Sequence, residues 1–472
     1  MRAVLGLDQQ ALRAKLGSLL PAGLPRPEVD TWIETWPSIR NDFASDSEAC
    51  SSFWSLAAAL RARLPTKPAR NTDQSAAAAL IHRAERDLRD LFLNAHAEVL
   101  YDNLTVSRAK FLRVDELVAQ AAHVVPGLVP DANAMAAERA LLLKDKDGLE
   151  IDHGLLLSHV LSRPKCGRHL CHAMLLPRAE TSELLPRLLK EGSVDLGTVV
   201  ISIAGKASVV ELRNPKVLNA HDETTIVPLE IATDLAILAD RTEIAVLRGG
   251  RVEHPKYPGR RIFSAGINLT HLYQGKIPFL FYFHHAMGYE HKMIRGLARE
   301  DASPLDIAGS TVEKPWIGVV ETFAIGGGCQ LLLAMDFVLA QSSAYVSLPA
   351  RKEGIIPAMA NLRLPHFLGD RLARKAIMLG EAIDCDSPTG RMICGEVVAD
   401  GEIDEALAAL IDDLTGSGIV SAVGNRRQFR IGREPLDLFR EYLALFAKEQ
   451  AECHFSSGLI SNLERYWNAQ SR

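Results

Sequence analysis

Two stretches decide the fold: Phe263-Ser264-Ala265-Gly266-Ile267-Asn268-Leu269 and, about sixty residues later, Ile325-Gly326-Gly327-Gly328-Cys329-Gln330. The second stretch follows an apolar run and leads into a helical pattern, so its first amides lie at a helix N-terminus. Because glycine has no side chain, both stretches let the backbone come close to a bound carbonyl oxygen. We expect each stretch to supply one backbone N–H group to an oxyanion hole for an acyl thioester.

This pair of motifs resembles the crotonase (enoyl-CoA hydratase/isomerase) superfamily. The resemblance implies an α/β fold with a crotonase-like ββα spiral core, and it places Gly266 and Gly328 beside the bound acyl group. Hydratases with this motif carry acidic residues at the positions of Gln330 and Ala350. A neutral amide and a methyl group cannot exchange protons with water at a double bond. The sequence therefore argues against a hydratase.

Length and composition place the chain among ordinary globular proteins. Its 472 residues favour two domains, and 24% charged with 47% hydrophobic residues is typical of such proteins. A net charge of -5 argues against nucleic acid as a partner. The apolar runs are too short to span a membrane, and Asp8 follows the N-terminus too soon for a signal peptide. We expect a cytoplasmic protein.

The cysteines indicate reduced thiols, because seven of them are spread thinly along the chain. One cluster has soft ligands at short spacing that zinc could use: Cys166, His169, Cys171 and His172. No second ligand cluster accompanies it, and we favour buried structural thiols. The segment 144–148 suggests a calcium loop but lacks the further acids that such a loop needs. We predict no metal.

The spacing of apolar residues changes along the chain and indicates three regions. Residues 1–193 read as an all-helical N-terminal domain, with a capping box at 45–48. Residues 194–400 alternate strands and helices as a crotonase-like core, beginning with a hairpin that turns at Gly205-Lys206. Residues 401–472 read as a helical C-terminal tail. In the crotonase fold this part packs over the site or against a neighbouring subunit, so the resemblance implies an oligomerisation region.

A closer resemblance rests on segments outside the superfamily core and on one inside it: Leu112–Leu117, Gly127–Pro130, Lys144–Asp152, His172–Met174, Val252–Arg261 and Leu348–Pro357. Over roughly residues 98–472 the chain is similar to the cofactor-independent (3,5-dihydroxyphenyl)acetyl-CoA 1,2-dioxygenases of glycopeptide-antibiotic biosynthesis. The resemblance implies a homo-oligomer, a trimer or a hexamer, with acyl-CoA and molecular oxygen as substrates and no cofactor.

The chemistry implied by the resemblance starts with loss of the α-proton of an arylacetyl-CoA to give a thioester enolate. Because ground-state O2 is a triplet, the enolate first donates one electron, and the products are a 2-oxo acid and CoA. Ile267 and Gly327 would hold the enolate oxygen, and Gln330 would lie near the acyl group. A carboxylate at position 330 would repel the enolate. A structural role for Gln330 as a satisfied buried amide stays open.

The chain departs from this family where the ring hydroxyls are bound. The family uses an acidic residue and an arginine, whereas this chain has His221 at the first position and His285 as the nearest match to the second. Imidazoles can contact hydroxyls or act as a base, and surface or core histidines are the alternative. The aromatic stretch 278–285 could line an aryl pocket. Arg260 and Arg261 could meet the CoA phosphates, or remain solvated loop charges.

Two other functions stay open. The same enolate could serve an acyl-CoA thioester hydrolase, decarboxylase or isomerase, with an imidazole as the base. A degenerate core could also act as an assembly scaffold, although a scaffold has no need for the pair of amides.

Overall fold

The computed structural model describes residues 7–15, 19–303, 306–308, 310–416 and 418–469. These residues form two compact units. One comprises Met1–Leu170 with Leu443–Phe455, and the other comprises Cys171–Tyr442 with Ser456–Arg472. The division into 1–193, 194–400 and 401–472 stays a prediction. It follows the secondary structure expected from the sequence, whereas the two units are defined by packing.

The described part of the first unit is helical, as the sequence predicts. Its α-helices are Gln9–Ala14, Arg26–Glu34, Phe43–Ala62, Thr72–Leu104, Val114–Val124, Ala132–Arg139 and Ile151–Ser162. Short 3-10 turns are Leu20–Ala22, Lys67–Ala69 and Leu143–Asp145. Helices Pro164–Leu175 and Leu436–His454 each run across a unit boundary. The longest helix, of 33 residues, begins with a capping box between Asn71 and Gln74.

The capping box predicted at Ser45 is wrong. Helix Phe43–Ala62 begins earlier, because the Asp42 side chain accepts a hydrogen bond from Ser45 N at 2.9 Å. Asp46 is instead buried and lies 2.7 Å from His96 Nε2. The second acid of the first turn, Asp46, therefore packs against His96, and the local sequence motif does not indicate this contact.

The described residues of the second unit include ten strands. They are β1 (Ser193–Asp195), β2 (Val199–Ala204), β3 (Ala207–Leu212), β4 (Ile244–Gly249), β5 (Trp316–Val320), β6 (Phe323–Ile325), β7 (Phe337–Gln341), β8 (Tyr345–Ser347), β9 (Ala382–Asp384) and β10 (Glu396–Val398). Seven form one sheet in the order β1-β2-β3-β4-β5-β7-β10, and three form a second sheet in the order β6-β8-β9.

The strand pairing follows the predicted pattern. Strands β2 and β3 form the antiparallel hairpin expected at Gly205-Lys206, and β3 then pairs in parallel with β4 after the crossover helix Ile226–Leu238. Pairs β4–β5, β5–β7 and β7–β10 are also parallel. Strands β7 and β8 are neighbours in the chain but lie in different sheets. Parallel strands joined by helices are the expected α/β core.

The remaining helices of the second unit surround the sheets. They are Thr181–Glu191, Ile226–Leu238, Leu269–Tyr273, Phe281–Phe283, His291–Arg295, Gly327–Leu332, Ala350–Glu353, Ala360–Leu368, Asp370–Leu379, Ile403–Thr415, Val420–Arg433 and Ser457–Trp467. A π-helical turn, His284–Glu290, connects two of them, and 3-10 turns are Pro215–Val217, Asp306–Ala308 and Gly390–Met392.

Among the residues described, no individual helix is both long and apolar enough to cross a bilayer. Helices Ile403–Thr415 and Val420–Arg433 meet that length and composition only as a pair, and a bend of 95° separates them.

A buried ion cluster fixes the helix that follows the π-helical turn. Lys292 Nζ lies 2.8 Å from Glu230 Oε1 and 2.8 Å from Asp234 Oδ1. All three side chains are fully buried. Both acids are on helix Ile226–Leu238, so the cluster ties the helix carrying Lys292 to the crossover helix. Buried charges are tolerated only when they are paired in this way.

Removing Lys292 should therefore destabilise the protein. We expect Lys292→Ala to cost about 3–5 kcal/mol, because the buried carboxylates of Glu230 and Asp234 lose the ammonium group that pairs with both. The measurement is thermal and urea unfolding followed by circular dichroism. Lys375→Ala is the matched control, since Lys375 pairs with Glu381 at the surface and should cost about 1 kcal/mol or less. Equal losses in the two variants would contradict this role of the cluster.

Candidate active site

The first half of the site is the turn through Gly266. Gly266 has φ +87°, a left-handed conformation that favours glycine. His221 N donates to Gly266 O at 2.7 Å, and Asn268 N donates to His221 O at 2.8 Å. These two bonds hold the peptide on either side of Ile267. The N–H of Ile267 itself donates to no acceptor in the described residues.

The second half is the turn from β6 into helix Gly327–Leu332. Ile325 N donates to Ser264 O at 2.9 Å, and Gly326 N donates to Ser347 O at 2.9 Å. The N–H of Gly327 comes next in the chain and has no acceptor within the described part of the protein. A first-turn helix amide needs such an outside partner, so Gly327 offers a free donor.

The two halves touch each other through backbone atoms. A Cβ added at Gly266 would lie 2.9 Å from Ile325 O and 3.4 Å from Gly327 N. A Cβ added at Gly328 would lie 2.7 Å from the Cβ of Ser264. Glycine is thus required at both positions for the approach. The structure brings two unpaired N–H groups, of Ile267 and Gly327, to adjoining backbone segments.

One small cavity opens beside this contact, with a volume of about 30 Å³. Its lining includes five of the residues that the sequence predicts for the site: His221, Ile267, His285, Gly327 and Gln330. The rest of the lining is mostly apolar and comes from Phe281, Tyr282, Gly326, Leu348, Pro349, Ala350, Glu353, Ile355, Ile356, Pro357 and Ala358. The aromatic stretch 278–285 thus contributes two rings as well as His285. Water-sized space against two free donors is what an oxyanion site needs.

His221 and His285 face each other across the cavity wall. Their ring centroids are 5.9 Å apart, and both approach Gly327, since a Cβ there would lie 3.6 Å from His221 Nδ1 and 3.3 Å from His285 Cε1. Burial, and then the charge of His285, lower the pKa of His221 to about 3. The His221 ring is therefore neutral at physiological pH.

His285 has a fixed orientation on the π-helical turn. Its Nδ1 lies 2.7 Å from the Tyr289 hydroxyl, and its Nε2 lies 3.6 Å from Glu290 Oε1. Burial raises the pKa of Tyr289, so the hydroxyl keeps its proton. The segment His284–Glu290 is kinked at Gly288, whose φ of -83° and ψ of -110° are not helical. His285 precedes this kink and lines the cavity.

Gln330 presents an unpaired amide oxygen to the same region. Its Oε1 is buried and has no hydrogen-bond partner in the described residues. The side chain lies on the first turn of the helix that begins at Gly327. Among the described residues the amide oxygen is thus not satisfied internally, which leaves it available to a bound molecule.

The comparison with known proteins agrees with this geometry. A family model described as enoyl-CoA hydratase/isomerase matches residues 203–465. The chain belongs to the enoyl-CoA hydratase/isomerase family. The match confirms the predicted crotonase-like core and covers both oxyanion segments, Phe263–Leu269 and Ile325–Gln330.

Among curated proteins, the chain is similar to (3,5-dihydroxyphenyl)acetyl-CoA 1,2-dioxygenase of Amycolatopsis orientalis. The two are 43% identical over 401 residues, which is 85% of this chain and 91% of the relative. This confirms the closer resemblance that the sequence indicates. A probable enoyl-CoA hydratase of Rhizobium meliloti (strain 1021) is 27% identical over 219 residues, 45% of this chain and 73% of that protein.

Among solved structures, an enoyl-CoA hydratase from Mycobacterium avium subsp. paratuberculosis K-10 matches 58% of this chain and 97% of its own. The TM-score is 0.48 and the sequence identity is 16%.

Within this family member, the structure adds one residue that sequence reasoning missed. Glu353 lines the cavity, is 9% exposed, and ends the short helix Ala350–Glu353. Its Oε1 lies 4.0 Å from where a Cβ on Gly326 would stand. Burial raises the pKa of this carboxyl to about 7. The sequence analysis did not assign Glu353, although it follows Ala350 by three residues on the same short helix.

The two arginines proposed for CoA lie elsewhere. Arg261 Nη1 pairs with Glu211 and donates to Gly249 O at 3.1 Å. Arg260 is exposed on the preceding loop. Neither arginine lines the cavity. A phosphate contact by Arg260 or Arg261 stays a prediction.

The described residues contain one group with closely spaced metal-type donors, Asp222, Glu223 and His271. Their donor atoms lie within 4.8 Å of one another, but internal hydrogen bonds already use them: His271 Nδ1 with Glu223 at 3.0 Å, and Asp222 with Asn268 Nδ2 at 3.0 Å. The group does not line the cavity. In the cysteine cluster, His169 Nδ1 lies 2.8 Å from the Tyr101 hydroxyl, and Cys171 is fully buried.

The lowered pKa of His221 gives a direct test of the cavity environment. With a pKa of about 3, the ring stays neutral between pH 5 and pH 8, whereas an unperturbed histidine titrates near 6.5. We expect the ¹³Cε1 resonance of His221, assigned by its loss in His221→Gln, to hold its position over that range. A short histidine peptide in the same samples is the control. A titration midpoint near 6.5 would show that solvent reaches the ring.

Proposed function

We propose that this protein is a cofactor-independent dioxygenase. It forms the thioester enolate of an arylacetyl-CoA, or a related acyl-CoA, and reacts it with O2 to give a 2-oxo acid and CoA. The supporting observation is the pair of unpaired N–H groups of Ile267 and Gly327 at one cavity. The 43% identity to a dioxygenase over 91% of that relative supports the same activity.

The site supplies the electrostatics that an enolate needs. Two backbone donors hold the thioester oxygen as negative charge develops there, and removal of one such donor typically costs about 10²–10³-fold in rate. The donors are already oriented by the hydrogen bonds around Gly266 and Gly326, so little reorganisation accompanies the reaction. The enolate is then the electron donor to triplet O2, and no metal or flavin is required.

The apolar side of the cavity suits O2 and excludes water. Leu348, Ile355, Ile356 and Pro357 form this side. Exclusion of water strengthens the two hydrogen bonds to the enolate and protects the carbanion from protonation by solvent. The amide at Gln330 and the methyl group at Ala350 leave no acid pair for hydration.

The substrate's ring lies, in this proposal, against Phe281 and Tyr282, with its polar groups near His221 and His285. Two imidazoles replace the acid and the arginine that the family uses, so the ring substituents of the true substrate can differ. We further propose, from the resemblance, a cytoplasmic homo-oligomer of three or six subunits that acts in antibiotic biosynthesis, with the C-terminal region 401–472 at the subunit interface.

Oxygen consumption tests this function. We expect purified protein with (3,5-dihydroxyphenyl)acetyl-CoA or phenylacetyl-CoA to consume one O2 per CoA released, because the enolate can release CoA only after O2 has added. The measurement is an oxygen electrode combined with a thiol assay, without added metal. EDTA should leave the rate unchanged. Under argon, CoA release should stop.

Gln330→Glu is the companion variant, because it changes one neutral amide into a carboxylate of the same shape. Charge repulsion at an effective dielectric near 20 predicts a loss of roughly tenfold or more in oxygenation rate. Release of CoA at an equal rate under argon would instead establish a thioester hydrolase. A rate abolished by EDTA would overturn the cofactor-independent reaction.

A further inference from the structure

Glu353 is a buried acid without a counter-charge. Its side chain is 9% exposed and makes no hydrogen bond or ion pair with any residue that the structure describes. Most buried carboxylates in this protein are paired, as Glu230 and Asp234 are with Lys292. A buried acid kept unpaired costs stability, and such groups are characteristic of functional sites.

The surroundings of Glu353 explain its protonation behaviour. Burial alone raises its pKa to about 7. Its titratable neighbours across the cavity are His221, His285 and Tyr282. Arg351 and Lys352 on its own helix are exposed. The charged residues of the helices Asp370–Leu379 and Ser457–Trp467, which pack against it, are Asp370, Arg371, Arg374, Lys375, Glu464 and Arg465.

We propose that Glu353 is the proton acceptor that removes the α-proton of the bound acyl-CoA. The inference rests on the proposed function, because it concerns the step that forms the enolate. The Cα–H bond breaks, its electron pair stays on the thioester as the enolate, and the proton moves to a carboxylate oxygen of Glu353. O2 then bonds to the α-carbon, and the C–S and O–O bonds and the second Cα–H bond break to give the 2-oxo acid. Both α-hydrogens leave as protons: the CoA thiolate takes up one, the other passes to solvent, and Glu353 ends the turnover ionised.

The position of Glu353 suits this transfer. Its Oε1 lies near Gly326, the residue just before the oxyanion donor Gly327. The thioester oxygen at Gly327 and the α-carbon are separated by only two bonds, through the carbonyl carbon. A carboxylate in the same cavity can therefore reach the α-hydrogen while the two amides hold the oxygen.

The other polar groups of the cavity are poorer acceptors. The amide of Gln330 is not a base. His221 binds protons weakly, since burial lowers its pKa to about 3. His285 Nδ1 is held by the Tyr289 hydroxyl at 2.7 Å. A group with a pKa near the working pH is the most effective general base.

The transfer also removes an electrostatic conflict. A carboxylate that stayed ionised beside the enolate would repel it. Glu353 becomes neutral in the step that creates the enolate charge, so the cavity holds one negative charge before and after. A carboxylate at position 330 would add a second negative charge to the cavity. A neutral glutamine at this position avoids that charge.

Deuterium exchange at the α-carbon tests the proposal without O2. Wild-type protein under argon in D2O, with (3,5-dihydroxyphenyl)acetyl-CoA and phenylacetyl-CoA as probes, should exchange the α-hydrogens, as followed by proton NMR. We expect Glu353→Gln to exchange about 10²–10⁴-fold more slowly. Glu396→Gln, an exposed acid on β10, is the matched control and should exchange like wild type.

The pH profile gives a second signature. Exchange by wild type should rise with pH and level off above about 7, because the ionised form of Glu353 is the base. In Glu353→Gln this rise should vanish. A folded-state pKa raised from 4.5 to about 7 makes wild type lose stability as pH rises across that interval. The melting temperature of Glu353→Gln should therefore exceed that of wild type at pH 8 and match it near pH 4.

The outcomes separate this proposal from the proposed function. Exchange by Glu353→Gln at the wild-type rate overturns the role of Glu353 and leaves the dioxygenase intact. Exchange by wild type without any O2 consumption overturns the dioxygenase and leaves Glu353 as the base. No exchange of either probe by wild type overturns the enolate chemistry on which both depend.

Discussion

The structure depends on one close contact between two backbone turns. Gly266 packs against the turn from Ile325 to Gly327, and even a single methyl group at Gly266 would lie 2.9 Å from Ile325 O. This contact sets the separation of the two turns and leaves the N–H groups of Ile267 and Gly327 unpaired. In the described residues both N–H groups border the same cavity, where a bound molecule can accept hydrogen bonds from them.

The cavity around this contact is mostly apolar, with few polar groups. His221 is held neutral by burial, and His285 is bonded to Tyr289. Gln330 and Glu353 add one unpaired amide oxygen and one acid whose pKa lies near 7. Such surroundings stabilise one negative charge on a bound thioester and disfavour a second. Enolate formation, and not hydration, is the chemistry that this balance favours.

Much of this site could be predicted from the sequence, because glycine motifs encode local backbone shape. The two turns, Gln330, His221 and His285 all contribute to one cavity, and the roles that the sequence and the resemblance give them stay predictions. Glu353 was missed, because its meaning comes from burial and from the absence of a partner, which are properties of packing.

Contacts made only in the folded chain also explain where other assignments from the sequence differ from the structure. Arg261 was proposed for phosphate, yet its guanidinium pairs with Glu211 on β3, a contact between segments fifty residues apart. The capping box at Ser45 matched a local pattern that Asp42 satisfies instead. The hairpin at Gly205 was predicted correctly, since it depends on short-range periodicity.

The most direct test of the account is a crystal structure with an arylacetyl-CoA analogue in which a methylene group replaces the thioester sulfur. We predict that the carbonyl oxygen of the analogue lies within about 3.1 Å of both Ile267 N and Gly327 N. A carbonyl oxygen bound to water or to side chains, with either amide directed away from it, would contradict the account.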